Sequence, residues 1–164
     1  MISEKVQKAL NDQIQAEIFS SYLYLSMSAY FQSENWIGFA AWMKIQSEEE
    51  YGHAMKLIKY VHDIEGKVTL EAIDKPKAEW KSPHEVFEEA HKHELYITER
   101  INLLVHLTIQ EKDYPTQLML NYFVNEQVEE VSTISQIVHK FNAVADNKTS
   151  VYFLDRELGM RAKS

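Results

Sequence analysis

The residues able to do chemistry in this chain are acids and one imidazole placed where apolar side chains belong. Seven residues along a helix turn about 700°, so positions seven apart share a face. By that rule Glu17 lies between Leu10 and Tyr24, Glu50 between Met43 and Leu57, and Glu94 between Phe87 and Ile101. Gln127 lies between Leu120 and Ile134, and Glu130 between Phe123 and Ile137. His53, one turn beyond Glu50, follows the same seam, with Gln46 and Tyr60 as neighbours. A lone Glu on an apolar stripe usually snorkels to the edge of a bundle, and a lone His is usually a satisfied core residue. Four carboxylates at one level are different, because unpaired buried charges cost several kcal/mol each. No Lys or Arg occupies these stripes at that level, and two divalent cations would balance the four acids. Carboxylates with one imidazole suit Fe(II) or Mn(II), whereas structural zinc prefers Cys and His; spacing alone does not separate iron from manganese.

The elements that must present these groups are long helices. Among 164 residues there are only four Gly and three Pro. Apolar periodicity predicts helices over about 4–33, 36–65, 83–111 and 114–142, with a short fifth over 150–158. Ser3, Asn35 and Asp113 are the expected caps of the first, second and fourth. Ser82, Pro83 and Glu85 read as N-cap, N1 and N3 of a capping box for the third, and Gly66 as the stop of the second. Counted from these starts, Glu17, Glu50, Glu94 and Gln127 all fall about halfway along their helices. Mid-helix positions of antiparallel helices coincide in height, so the six groups converge.

Loop lengths set the topology. Helices 1 and 2 are joined by a couple of residues, as are 3 and 4, so each pair is antiparallel. The stretch from Gly66 to Lys81, at about 3.3 Å per residue, can span a helix of about 45 Å. That predicts a crossover with helices 2 and 3 parallel, an all-α four-helix bundle with one long crossover; a simple up-down bundle with a loose loop is the alternative. We expect one domain over 1–164.

Composition removes other classes. A net charge of −8 disfavours nucleic acid and anionic membranes as partners, and no Cys means no disulfide, thiolate metal site or iron–sulfur cluster. The N-terminus lacks an apolar leader core and no stretch approaches about 20 apolar residues. A cytoplasmic protein is expected.

The stretches NDQIQAEIFSSYLYLSMSAYF, WMKIQSEEEYGHAMKLIKY, FEEAHKHELYITERIN, EKDYPT and FVNEQVEEV resemble the non-haem ferritins of bacteria and archaea, nearly end to end. The resemblance implies iron storage in a 24-subunit homo-oligomeric shell and oxidation of Fe(II) by O2 at a di-iron ferroxidase centre. Position by position, it implies that Glu17, Glu50 and His53 hold the first iron and Glu50, Glu94 and Glu130 the second, with Gln127 beside it. Glu49, Glu126 and Glu129, with Glu130, match a third iron site, and Tyr24 matches the family's site-adjacent tyrosine; a plain core aromatic is the other reading of Tyr24. The alternative reading of Glu49, Glu126 and Glu129 is a solvated acidic face. Gly52 stands where bacterioferritins carry a haem-ligating Met, so no haem is expected. Tyr122 stands where many relatives have Trp. A cage subunit that stores iron without fast oxidation, and a di-iron enzyme for an organic substrate, are the other functional readings. The strip Val151, Leu154 and Leu158 on the fifth helix is expected at a subunit junction.

Overall fold

The computed structural model describes residues 2–162. Five helices and no strand are present among them: α1 Glu4–Ser33, α2 Ile37–Asp63, α3 Pro83–Gln110, α4 Tyr114–Val144 and α5 Lys148–Leu158. The predicted helix boundaries hold within one or two residues. Three of the four expected N-terminal devices are present: Ser3 accepts from Val6 N, Ser82 from Glu85 N and Asp113 from Thr116 N. Glu85 closes its turn on the N–H of Lys81 at 2.5 Å, one residue earlier than a capping box requires.

Two expectations about the turns are corrected. Asn35 is not the cap of α2 but the residue that ends α1, in left-handed conformation at φ 63°. Its neighbour Trp36 donates back to Phe31 O at 2.9 Å, and Asn35 itself to Gln32 O. This is the paired hydrogen-bond pattern of a Schellman turn. The same pattern ends α2 and α3, with Glu65 (φ 57°) and Lys112 (φ 57°) left-handed. Gly66 therefore sits one position past the left-handed residue. The start of α2 is capped from afar: Asp155 of α5 accepts from Phe39 N at 2.8 Å.

The crossover is drawn by its hydrogen bonds to α1. Gln7 and Asn11 hold Lys67 and Thr69, Gln15 donates to Ala72 O, Ser26 to Lys77 O and Tyr30 to Trp80 O. The chain thus travels along α1 in the same direction as α1 itself. Since α2 returned antiparallel to α1, α3 begins where α2 began and runs parallel to it.

The core falls into two apolar layers. One takes Tyr24, Met27, Phe31, Phe39, Met43, Phe87, Ile134 and Phe141; the other takes Leu10, Ile14, Leu57, Val61, Ile97, Ile101, Leu120 and Phe123. In every long helix the polar residues of interest lie between these two sets. The fifth helix spends its strip on its own chain: Leu154 and Leu158 are buried in the first layer, with Val151 against it. This leaves Tyr152 and Phe153, not that strip, as the exposed apolar side chains of α5. Docking is tight, because a Cβ on Gly38 would run into the Asp155 carbonyl and one on Gly159 would lie 2.9 Å from Gly38 Cα. Among the described residues no helix is long and apolar enough to cross a membrane.

Candidate metal centre

Between the two apolar layers the bundle places Glu17, Glu50, Glu94 and Glu130, all buried, with His53 and Gln127 buried beside them. Their potential ligand atoms form two groups. Glu17, Glu50 and His53 each bring one atom within 4.8 Å of the others, and so do Glu50, Glu94 and Glu130. Glu50, on the middle of α2, belongs to both. Two cation positions sharing one bridging carboxylate is therefore what the geometry offers.

Each carboxylate is oriented by a neighbour one turn away or on a facing helix. Gln13 donates to Glu17 Oε1 at 2.8 Å, and Gln46 donates to Glu50 Oε1 at 3.0 Å and to Glu130 Oε2 at 2.7 Å. Tyr24 donates its hydroxyl hydrogen to Glu94 Oε1, and Gln127 Nε2 donates to Glu94 Oε2 at 3.1 Å and to Thr98 Oγ1 at 3.1 Å. His53 Nδ1 lies 3.3 Å from Glu50 Oε2 and 4.0 Å from Glu17 Oε2.

Among the described residues no Lys or Arg pairs directly with these four acids, and His53 is the sole basic side chain within ion-pair distance of them. Glu17 Oε2 is buried with no hydrogen-bond partner among the described residues. Burial, and then the Glu50 charge, push Glu17 up from 4.5 to about 8; burial and the Glu94 charge push Glu130 up to about 7. Burial is the main cause that raises Glu50 and Glu94 as well, and it drives the Tyr24 phenol well above its ordinary value. Without a cation the raised values favour the protonated acids, and the same four carboxylates could hold one. The orphaned Glu17 oxygen and the oxygen-rich donor set both fit hard divalent ions.

The acids expected to form a third position behave differently from one another. Glu126 reaches inward, 3.6 Å from His53 Nε2, and groups with His53 and Glu130 within 4.8 Å. Glu49 is held by Arg161 at 2.7 Å. Glu129 is exposed and joins neither. A pocket of about 460 Å³ opens on this side, lined by Glu48, Glu49, Gly52, His53, Tyr122 and Glu126 among others. Tyr122 packs edge-on to His53 and carries Lys56 Nζ 3.9 Å above its ring.

Sequence reasoning gave no role to Gln13, Gln46 or Arg161. The signal for the two glutamines was present: Gln13 precedes Glu17, and Gln46 precedes Glu50, by the four residues that stack side chains on a helix. Arg161 lies on no helical stripe and had no such signal.

A parallel-and-antiparallel four-helix bundle with buried carboxylates at mid-height defines the class, a four-helix bundle with a candidate carboxylate metal site. Comparison with known proteins narrows it. The ferritin-like domain family matches residues 7–144. The "Bacterial non-heme ferritin" of Bacteroides fragilis (strain 638R) is 45% identical over 161 residues, 98% of this chain and 100% of that protein. The protein of the same name from Escherichia coli O6:H1 is 34% identical, covering 96% of each. Among solved structures, the open pore ferritin of the hyperthermophilic archaeon Archaeoglobus fulgidus superposes with a TM-score of 0.98 at 46% identity, over 99% of this chain and 100% of that one. The chain belongs to the ferritin family.

Proposed function

We propose that this ferritin subunit stores iron and oxidises it, taking two Fe(II) per subunit at the centre and passing their electrons to O2. The observation that carries the reading is the pair of ligand groups, Glu17–Glu50–His53 and Glu50–Glu94–Glu130, that share Glu50. A bridging carboxylate keeps two irons close enough to act on one oxygen molecule together. Each Fe(II) gives up one electron, and hydrolysis of the resulting Fe(III) to oxyhydroxide releases protons. The buried acids that hold protons in the metal-free site give them up as the ions bind. Tyr24 holds Glu94 from one side and Gln127 from the other, so this ligand is fixed before iron arrives.

A third, weaker iron position follows on the pocket side. Glu126 with His53 and Glu130 supports it directly, and Glu49 and Glu129 would join it only by moving. We assign no haem, since Gly52 has no side chain to ligate one. The assembly we propose is a closed homo-oligomeric shell, a 24-mer, in the cytoplasm. The apolar side chains that the lone chain leaves exposed, such as Leu118 at 70%, Val128 at 68% and Phe153 at 69%, are surface for neighbouring copies.

The test is oxygen uptake when Fe(II) is added to the metal-free protein. Glu50→Ala and His53→Ala each abolish the fast phase while the far-ultraviolet circular dichroism stays helical. Unchanged kinetics in both variants would overturn the di-iron assignment. Slow uptake by the unaltered protein, with iron still retained on sedimentation, would leave storage without ferroxidase activity.

A further inference from the structure

Arg161 lies past the end of α5, yet the side-chain hydrogen bonds described for it all fall on one stripe of α2. Its guanidinium carbon sits 4.3 Å above the Trp42 ring. One nitrogen donates to Trp42 O at 3.3 Å and to Gln46 Oε1 at 2.9 Å; the other donates to Glu49 Oε2 at 2.7 Å. Trp42, Gln46 and Glu49 are i, i+4 and i+7, so a fork-shaped donor spans two turns of one helix face. The tail is delivered there by the Gly38–Gly159 contact and by turns that return Met160 N to Glu157 O and Arg161 N to Leu158 O.

Gln46 is fully buried, and its amide has an acceptor end and a donor end. Guanidinium is a donor only, so Arg161 can be satisfied by the oxygen of Gln46 and not by its nitrogen. With the oxygen held outward, the nitrogen must point inward, where it bridges Glu50 Oε1 and Glu130 Oε2. A flipped or loosely rotating amide would turn an acceptor toward two carboxylates.

We propose that Arg161 is a positioning residue for the metal centre, acting through Gln46 to fix the orientation of Glu50 and Glu130. This rests on the di-iron reading above. The C-terminal tail thereby becomes part of the site's support, across 115 residues of sequence separation. Arg161 also brings a positive charge near the site, which by itself opposes Fe(II) binding. The two effects have opposite signs and can be separated.

The experiment is a double-mutant cycle on anaerobic Fe(II) binding by calorimetry, with Arg161→Met, Gln46→Met and both together, each checked for helicity and assembly. Losing a group that orients metal ligands costs about 10–100-fold in metal affinity. Arg161→Met is expected to weaken the second of the two Fe(II) ions about tenfold while Gln46 is present. In the Gln46→Met background the same change removes the opposing charge and the Glu49 and Trp42 contacts, none of which reaches Glu50 or Glu130, so it leaves binding unchanged or tightens it. An equal weakening in both backgrounds, or no weakening in the first, overturns the relay. Failure of the unaltered protein to bind two Fe(II) would instead overturn the di-iron reading and the relay with it.

Discussion

Replacing Glu17 by Gln is expected to stabilise the metal-free protein, by an amount that grows with pH. Glu17 is fully buried and its pKa rises from 4.5 to about 8, chiefly through burial and next through the Glu50 charge. Between those two pH values the unfolded chain carries an ionised carboxylate and the folded chain a protonated one. Folding therefore takes up a proton, and stability falls as pH rises across the window, at 1.36 kcal/mol per pH unit for this group. By pH 7 the accumulated cost is roughly 3 kcal/mol, and above pH 8 it levels off at about 5 kcal/mol. Gln has the same shape and no charge, and its oxygen can still accept from Gln13. For a chain of this size 1 kcal/mol moves the melting temperature by about 2–4 °C, so Glu17→Gln should melt about 6–12 °C above the parent at pH 7. The assay is scanning calorimetry of both metal-free proteins in the same assembly state, from pH 4.5 to 9. The gap should be small at the acid end and widen to a plateau. A gap independent of pH, or a variant less stable at pH 8, would refute the reasoning. The parent protein should also lose stability as pH rises, because Glu50, Glu94 and Glu130 are raised in the same direction.

Three further outcomes are expected. Glu65→Gly and Lys112→Gly, at exposed left-handed positions, should each raise stability by about 1 kcal/mol and should add when combined, as thermal melting will show. Gly38→Ala should force α5 off α2 and cost about 1–3 kcal/mol, with faster proteolysis near Asp146; a melting temperature like the parent's would mean the contact yields easily. The triple change of Glu49, Glu126 and Glu129 to Ala should keep the fast two-iron reaction but alter the iron-to-oxygen ratio. Glu126→Ala alone should reproduce most of that effect and Glu129→Ala none, and the reverse ranking would remove Glu126 from a third position.

The way these residues became legible, or failed to, follows from the range of the forces that place them. Helical periodicity is local, so the stripes through Glu17, Glu50, Glu94 and Glu130 could be read from seven-residue spacing, and their common height from helix length. Loop length alone predicted the crossover, since a stretch that long between two bundle helices can run back along the bundle. Asn35 was misplaced for a physical reason: the same residue type that caps a helix start also tolerates the left-handed conformation that ends one, and a two-residue connection offers both roles. The cap that α2 does use, Asp155, comes from 116 residues away. Nothing in the local pattern around Trp36 encodes it. Arg161 belongs to the same category, a tail residue whose position is set by how two glycines let α5 close onto α2. Glu49 shows the limit from the other side. Its spacing placed it beside the metal ligands, but spacing does not say which counter-charge a surface acid will find. In the folded chain that charge is Arg161, on the segment with no periodicity to read.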